Sequence, residues 1–201
     1  MKFCIVIQAR LGSKRFPAKI LKTIYKNYNS LTFLINLIRK TDYELVVTTT
    51  KSSIDNKIVN ICKKKNINYF RGSENNVYER YKQTAKKFNI DNIIRITSDC
   101  PLLDVSLLDK IKNEFISKKL DYISNTLPIK ESKFPNGSDI EIFKSKLFQK
   151  YKSLTKEDKE HVTNVFWQDK RLKKKIFKNN INYSNLRYTL DYNKDLIVIK
   201  K

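Results

Sequence analysis

The chain has 201 residues, with 42 Lys+Arg against 20 Asp+Glu and a single His, a formal charge of +22; 40% of its residues are hydrophobic and 11% aromatic. That balance suits one folded domain with a real core and excludes a disordered tail. No apolar run reaches the roughly 18–20 residues of a membrane span, Met1–Gln8 is too short for a secretion signal, and three Cys without metal-type spacing argue against a disulfide framework or zinc site, so a reducing cytoplasm is expected.

The charge invites a nucleic-acid reading, and its composition argues against one. The basic residues are 34 Lys and only 8 Arg, beside 20 Asn and 24 Ile, the excess that an AT-rich coding bias produces. The Lys are spread along the chain, and only Lys63–Lys65 and Lys170–Lys175 are dense. Solvated faces account for most of this, with a field for anionic partners as the alternative.

In chain order, Lys2–Ile7 reads as a buried strand that runs into a polar loop, Gln8–Lys19, holding Gly12, Ser13 and Pro17. Asn29–Ser30 caps a helix over Leu31–Ile38. Glu44–Thr50 is a second strand. Ser52–Lys65 is helical, because Ile54, Ile58, Ile61 and Cys62 fall on one face. A short third strand at Asn68–Phe70 precedes a helix at Val77–Phe88. A fourth strand, Asn92–Thr97, leads through the turn Ser98–Pro101 to a helix at Leu107–Ile116 and a strand at Asp121–Ser124. This alternation predicts an α/β fold: a mostly parallel sheet with helices on both faces, and ligand sites at the carboxyl ends of its strands. Beyond Asn125 a polar connector, 126–136, leads to a strand at Ser138–Phe143, helices near Ser145–Leu154 and Lys156–Gln168, and a last main-sheet strand at Arg187–Leu190. The stretch 126–180 is expected to form a small inserted lobe on the single domain.

Three strand ends carry candidate chemistry. The loop Q-A-R-L-G-S-K-R-F-P-A-K (Gln8–Lys19) joins small residues to Arg10, Arg15 and Lys19, as a phosphate cradle needs, although an exposed basic loop has the same composition. Asp99 follows the fourth strand, where it could hold Mg²⁺ beside a nucleotide or simply cap a turn. Asp191 ends Thr189-Leu-Asp191 and could share that metal, but a helix cap is the simpler reading. His161 is a lone His, more often structural than catalytic. Cys100 has no neighbouring His and reads as an inert buried thiol.

In this order the pieces resemble the acylneuraminate cytidylyltransferase family, in its spore-coat-polysaccharide-type branch, which is similar to the CMP-KDO and CMP-sialate synthetases. The first loop resembles the family's Q-A-R-x-G-S-x-R-x-P-x-K. Tyr69–Arg80 (YFRGSENNVYER), Arg95–Leu102 (RITSDCPL), Tyr122–Thr126, Phe134–Phe143, Glu160–Thr163 (EHVT) and Arg187–Leu196 (RYTLDYNKDL) match in order. The resemblance implies a Rossmann-like nucleotidyltransferase fold and Mg²⁺-dependent transfer of CMP from CTP to an acidic sugar-type acceptor, with release of pyrophosphate.

The same resemblance implies site roles. Arg10, Gly12, Ser13, Arg15 and Lys19 would cradle the triphosphate, with Arg15, Lys19 and Asp99 catalytic. Asp99 and Asp191 would hold the metal. Ala9, Gly72 and Arg80 would lie near base and ribose. Asn125, Asp139, Glu141 and His161 would face the acceptor, and the lobe would lie at a homodimer interface. Departures from the family pattern are Ser98 and Ala18, where Gly is usual, a lost Gly-x-Pro feature in Tyr25–Phe33, and an end at Lys201 soon after the Asp191 motif. A non-catalytic nucleotide- or partner-binding protein on the same fold is the alternative.

Overall fold

A computed structural model describes residues 1–200. Its centre is a seven-stranded sheet in the order β5-β4-β1-β6-β8-β7-β9. The strands are β1 (Phe3–Gln8), β4 (Glu44–Thr50), β5 (Asn68–Gly72), β6 (Asn92–Thr97), β7 (Tyr122–Ser124), β8 (Glu141–Lys144) and β9 (Lys174–Ile176); β2 (Thr23–Tyr25) and β3 (Tyr28–Asn29) form a separate hairpin. β1 lies parallel between β4 and β6, and β4 is parallel to β5. β8 alone runs backwards, antiparallel to both β6 and β7, and β9 joins β7 in parallel.

β1 shows why the sheet is buried on both faces. Ile5 and Ile7 enter one core cluster, with Leu34 of α1 (Ser30–Ile38), Ile58 of α2 (Asn56–Lys64) and Ile111 of α4 (Ser106–Ser117). Cys4 and Val6 point the other way. They meet Tyr78 and Tyr81 of α3 (Val77–Lys87) and Phe166 of α6 (Asn164–Gln168). A run without polar alternation is what a doubly covered parallel strand requires. The expected α/β fold is present.

The C-terminal third departs from expectation in several places. Arg187–Leu190 is not a strand of the main sheet. It is an extended strap that makes one isolated bridge, Asn136 to Arg187. Its backbone is spent elsewhere: Tyr188 N donates to Asn136 O at 2.7 Å and Leu190 N to Asp99 O at 2.8 Å. The edge place in the sheet belongs to β9, which the sequence hides inside a lysine run. Lysines on an edge strand discourage pairing with a second chain. The helix expected at Ser145–Leu154 is a 3₁₀ stretch, Ser145–Gln149. The helix expected at Lys156–Gln168 is split into α5 (Lys156–His161) and α6, because Val162 sits at φ 57. A β-branched residue in that region breaks the helix. β8 and β9, both within 126–180, belong to the main sheet. Among the described residues no helix is long and apolar enough to cross a membrane.

Candidate active site

The carboxyl ends of β1 and β6 open into a cleft of about 660 Å³, walled by the loop after β1, the start of α3, the turn after β6 and α5. Ala9, Arg10, Gly12, Ser13, Arg15, Lys19, Arg80, Asp99 and His161 all line it. Residues scattered from 9 to 161 therefore meet in one place because parallel strands end together.

The loop Gln8–Lys19 turns on Leu11, whose carbonyl accepts hydrogen bonds from Ser13 N at 2.8 Å and Ala18 N at 3.2 Å. Gly12 leaves room for a neighbour: a Cβ there would stand 3.2 Å from Glu74 Oε1. Ala18, where the family pattern has Gly, adopts φ 53, ψ 28, a left-handed conformation that Gly enters more readily. The 3₁₀ turn Lys19–Leu21 then aims the Lys19 side chain back across the sheet ends.

Lys19 is the hub. Its Nζ lies 2.7 Å from Asp99 Oδ2 and 2.8 Å from Asp191 Oδ1, with only 10% of its side chain exposed. Burial works against its charge, and Asp99 and Asp191 outweigh that, so its pKa is raised. Asp191 also pairs with Arg15 at 3.0 Å and Arg187 at 3.1 Å. Burial opposes ionisation of Asp191, but Lys19, Arg187 and Arg15 prevail and hold its carboxyl below the usual range. Asp191 is not the cap of α7 (Asn193–Ile199): the Asp195 carboxylate accepts from Asp191 N and Tyr192 N, each at 2.8 Å. Nor does Asp99 cap α4, which starts at Ser106. The strap therefore delivers Asp191 to a site 92 positions away in sequence. It can do so because Gly137, at φ 103, lets the backbone of Tyr188 and Thr189 approach; a Cβ there would lie 2.5 Å from Thr189 N.

Arg80 is buried in the wall of the cleft. Its Nη1 donates to Ser73 O at 2.5 Å, and its Nε has no partner. Burial, with Arg10 adding to it, lowers its pKa. Gly72 stands behind it rather than in the cleft; a Cβ at 72 would come within 2.9 Å of Arg80 Cγ and of the Phe70 ring.

Of the residues expected to face an acceptor, only His161 lines the cleft. Asn125 is fully buried, donating to Ser138 O at 2.7 Å and accepting from Ile140 N at 2.8 Å. Glu141 is buried against Arg95 and accepts from Tyr122 Oη at 2.7 Å. Asp139 lies behind the Asp99 turn, accepting from Thr126 Oγ1 at 2.7 Å and Gly137 N at 3.1 Å. Burial pushes its carboxyl above the usual range. Cys100 is a buried free thiol, and burial, Asp139 and Asp99 all push its pKa up. The expectation missed Glu74, Lys156 and Arg95, which also line the cleft, and Arg187, which braces Asp191. Glu74, Arg95 and Arg187 lie inside the family-like motifs Tyr69–Arg80, Arg95–Leu102 and Arg187–Leu196; nothing local marks Lys156.

Asp99 and Asp191 meet on Lys19, and Glu74 and Glu160 also line the cleft; no cluster of three or more His, Cys, Asp or Glu placed to hold a metal occurs among the described residues. Two hard oxygen donors suit an ion that keeps its waters and takes further oxygens from a phosphate. They do not suit an all-protein cage.

A cationic glycine-bearing loop at the end of the central strand faces a carboxylate from the neighbouring strand, where α/β sheets bind ligands, and the match to cytidylyltransferases makes this a nucleotidyltransferase-type enzyme. The chain belongs to the cytidylyltransferase family, which it matches over residues 4–134. A solved cytidylyltransferase from Leptospira borgpetersenii is 33% identical, with TM-score 0.93 over 100% of this chain and 85% of that one. The spore coat polysaccharide biosynthesis protein SpsF of Bacillus subtilis is 32% identical over 123 residues, 58% of this chain and 51% of that protein. CMP:2-keto-3-deoxy-manno-octonic acid synthetase, solved with CTP, covers 100% of this chain and 97% of its own at TM-score 0.71; at 13% identity that likeness shows the fold.

Proposed function

We propose that this protein is a Mg²⁺-dependent enzyme that transfers CMP from CTP to an acidic sugar or related acceptor and releases pyrophosphate, in making a surface polysaccharide or glycan. The observation that carries the proposal is Lys19 Nζ, within 2.8 Å of both Asp99 and Asp191 at the edge of the glycine-bearing loop. Nucleotidyl transfer needs charge neutralisation and alignment more than a covalent nucleophile, and this cleft offers both.

In this reading Gly12 and Ser13, with Arg10, Arg15 and Lys19, bind the triphosphate. An acceptor oxygen attacks the α-phosphorus, the bond to the bridging oxygen of the β-phosphate breaks, and pyrophosphate leaves against Arg15 and Lys19. Asp99 and Asp191 would hold Mg²⁺, which supplies further neutralisation of the phosphates when bound. Lys19 exchanges carboxylates for phosphate as the nucleotide enters. Ala9 and Arg80 take the nucleoside, with Gly72 allowing Arg80 its position. His161 is the acceptor-side candidate, and the segment 126–180 carries the acceptor and homodimer contacts. The acylneuraminate-type branch and a cytoplasmic setting fit this activity. A net charge of +22 favours anionic substrates.

Melting temperature with CTP, UTP, ATP or GTP, each with and without Mg²⁺, tests the reading. Saturation at ~100 times the dissociation constant stabilises by about 2.7 kcal/mol. A shift specific to CTP with Mg²⁺, followed by pyrophosphate release with an acidic sugar, is the expected result. CTP binding without turnover of any acidic sugar would favour a non-catalytic binding protein, and no shift with any nucleotide would reject the site.

A further inference from the structure

Forty-four residues beyond Leu11, a carboxylate with no part in the reaction is buried against the phosphate loop. Asp55 is 1% exposed, and among the described residues it has no ion-pair partner. A buried carboxylate is costly unless its oxygens are satisfied. Here they are: Oδ1 accepts from Leu11 N at 2.8 Å, and Oδ2 from Thr50 N at 3.4 Å and from the Thr50 hydroxyl.

We infer that Asp55 is a positioning residue for the nucleotide: through the Leu11 amide it fixes the curvature of the loop Gln8–Lys19. The inference rests on the proposal that this cleft takes a nucleoside triphosphate. Leu11 is the pivot of the loop, because its carbonyl also receives Ser13 N and Ala18 N. Fixing Leu11 N therefore fixes the mouth of the turn that presents Gly12, Ser13 and Arg15.

The turn carrying Asp55 is itself clamped. Arg71, from β5, donates to Thr50 O at 2.9 Å, Ser52 O at 2.7 Å and Asn56 Oδ1 at 2.8 Å. The next residue, Gly72, begins the wall that carries Glu74 and Arg80. One chain of contacts, Arg71 to the 50–56 turn to Asp55 to Leu11, thus ties the two walls of the cleft together. Arg80 is buried with no ion-pair partner, and the charges of Asp55 and Glu74 favour its guanidinium while Arg10 opposes it. Preorganised donors aimed at a phosphate lose most of their value when the loop is free to move.

The test compares wild type, Asp55→Asn and Asp55→Ala in three measurements: CTP affinity by calorimetry with Mg²⁺, melting temperature without ligand, and amide exchange at Leu11. Asp55→Ala is expected to speed Leu11 exchange and weaken CTP by about ten- to a hundredfold, as loop misplacement does. Asp55→Asn keeps an acceptor for Leu11 N but turns an amide nitrogen toward Thr50 N and its hydroxyl, so its affinity is expected to fall in between. If Asp55→Ala does not fold, the near-isosteric Asn variant carries the test, with faster Leu11 exchange and a CTP affinity at least about threefold below wild type expected together from the loosened loop. A merely structural role lowers the melting temperature and leaves CTP affinity of the folded variant at the wild-type value; that result overturns the inference. A wild type that binds no nucleotide overturns the functional reading instead, so the two failures are distinct.

Discussion

Replacing Lys19 by Met removes the cation between two carboxylates and keeps most of the buried stem. Breaking a fully buried pair costs about 3–5 kcal/mol. Two features reduce that here. The Asp99 side chain is 27% exposed, and Asp191 retains Arg15 and Arg187. A loss of about 1.5–3 kcal/mol remains, or a melting temperature lower by roughly 5–10 °C for a chain of this size. The carboxylates are then free for another cation, so millimolar Mg²⁺ or Mn²⁺ without nucleotide is expected to restore part of the lost stability. Wild type, with its own ammonium in place, is expected to show little response to the same ions. Differential scanning fluorimetry across a divalent titration, with Mn²⁺ binding followed by electron paramagnetic resonance, reads both effects. A Lys19→Met protein with wild-type stability would refute the energetic reasoning. One that is destabilised but indifferent to divalent ions would refute the assignment of Asp99 and Asp191 as metal ligands.

Other substitutions test other parts of the site. Ala18→Gly relieves a left-handed residue at φ 53; relief of about 1–2 kcal/mol, less the entropy of glycine, leaves a gain of roughly 0.5–1 kcal/mol in urea unfolding, and a loss of stability would contradict the strain. Gly72→Ala forces a Cβ within 2.9 Å of Arg80 Cγ, so CTP affinity is expected to fall by about tenfold with modest destabilisation; unchanged affinity would remove Arg80 from the nucleotide site. The Asp191 carboxyl is held low in the folded state, so its contribution is present above the unfolded value near pH 4 and is lost as the pH falls through the folded value. The stability gap between wild type and Asp191→Asn should therefore be full at pH 7 and shrink in acid below about pH 4, and a gap constant with pH would show that the ion pairs do not form.

Much of the site was legible because the sequence keeps its strongest signals local. Each parallel strand is a continuous apolar run, and such runs end where side chains reach solvent, so Arg10, Arg15, Lys19 and Asp99 could be placed at strand ends from spacing alone. Their meeting follows from parallel strands sharing one direction. The direction of a side chain near a strand end is another matter. Asn125 and Glu141 sit beside the site in sequence motifs, yet both are turned into hydrogen-bonded interiors by the pairing of β7 with β8.

The sequence by itself determined the α/β alternation, the doubly buried central strand and the cationic loop, all consequences of periodicity and residue type over a few neighbours. Only the tertiary structure decided that β9 rather than Arg187–Leu190 closes the sheet, that Asp191 meets Lys19, and that Asp55 holds the Leu11 amide. These depend on partners tens of residues away. Short edge strands, straps and buried carboxylates gain their stability from those distant partners, and nothing in their own few residues records the pairing.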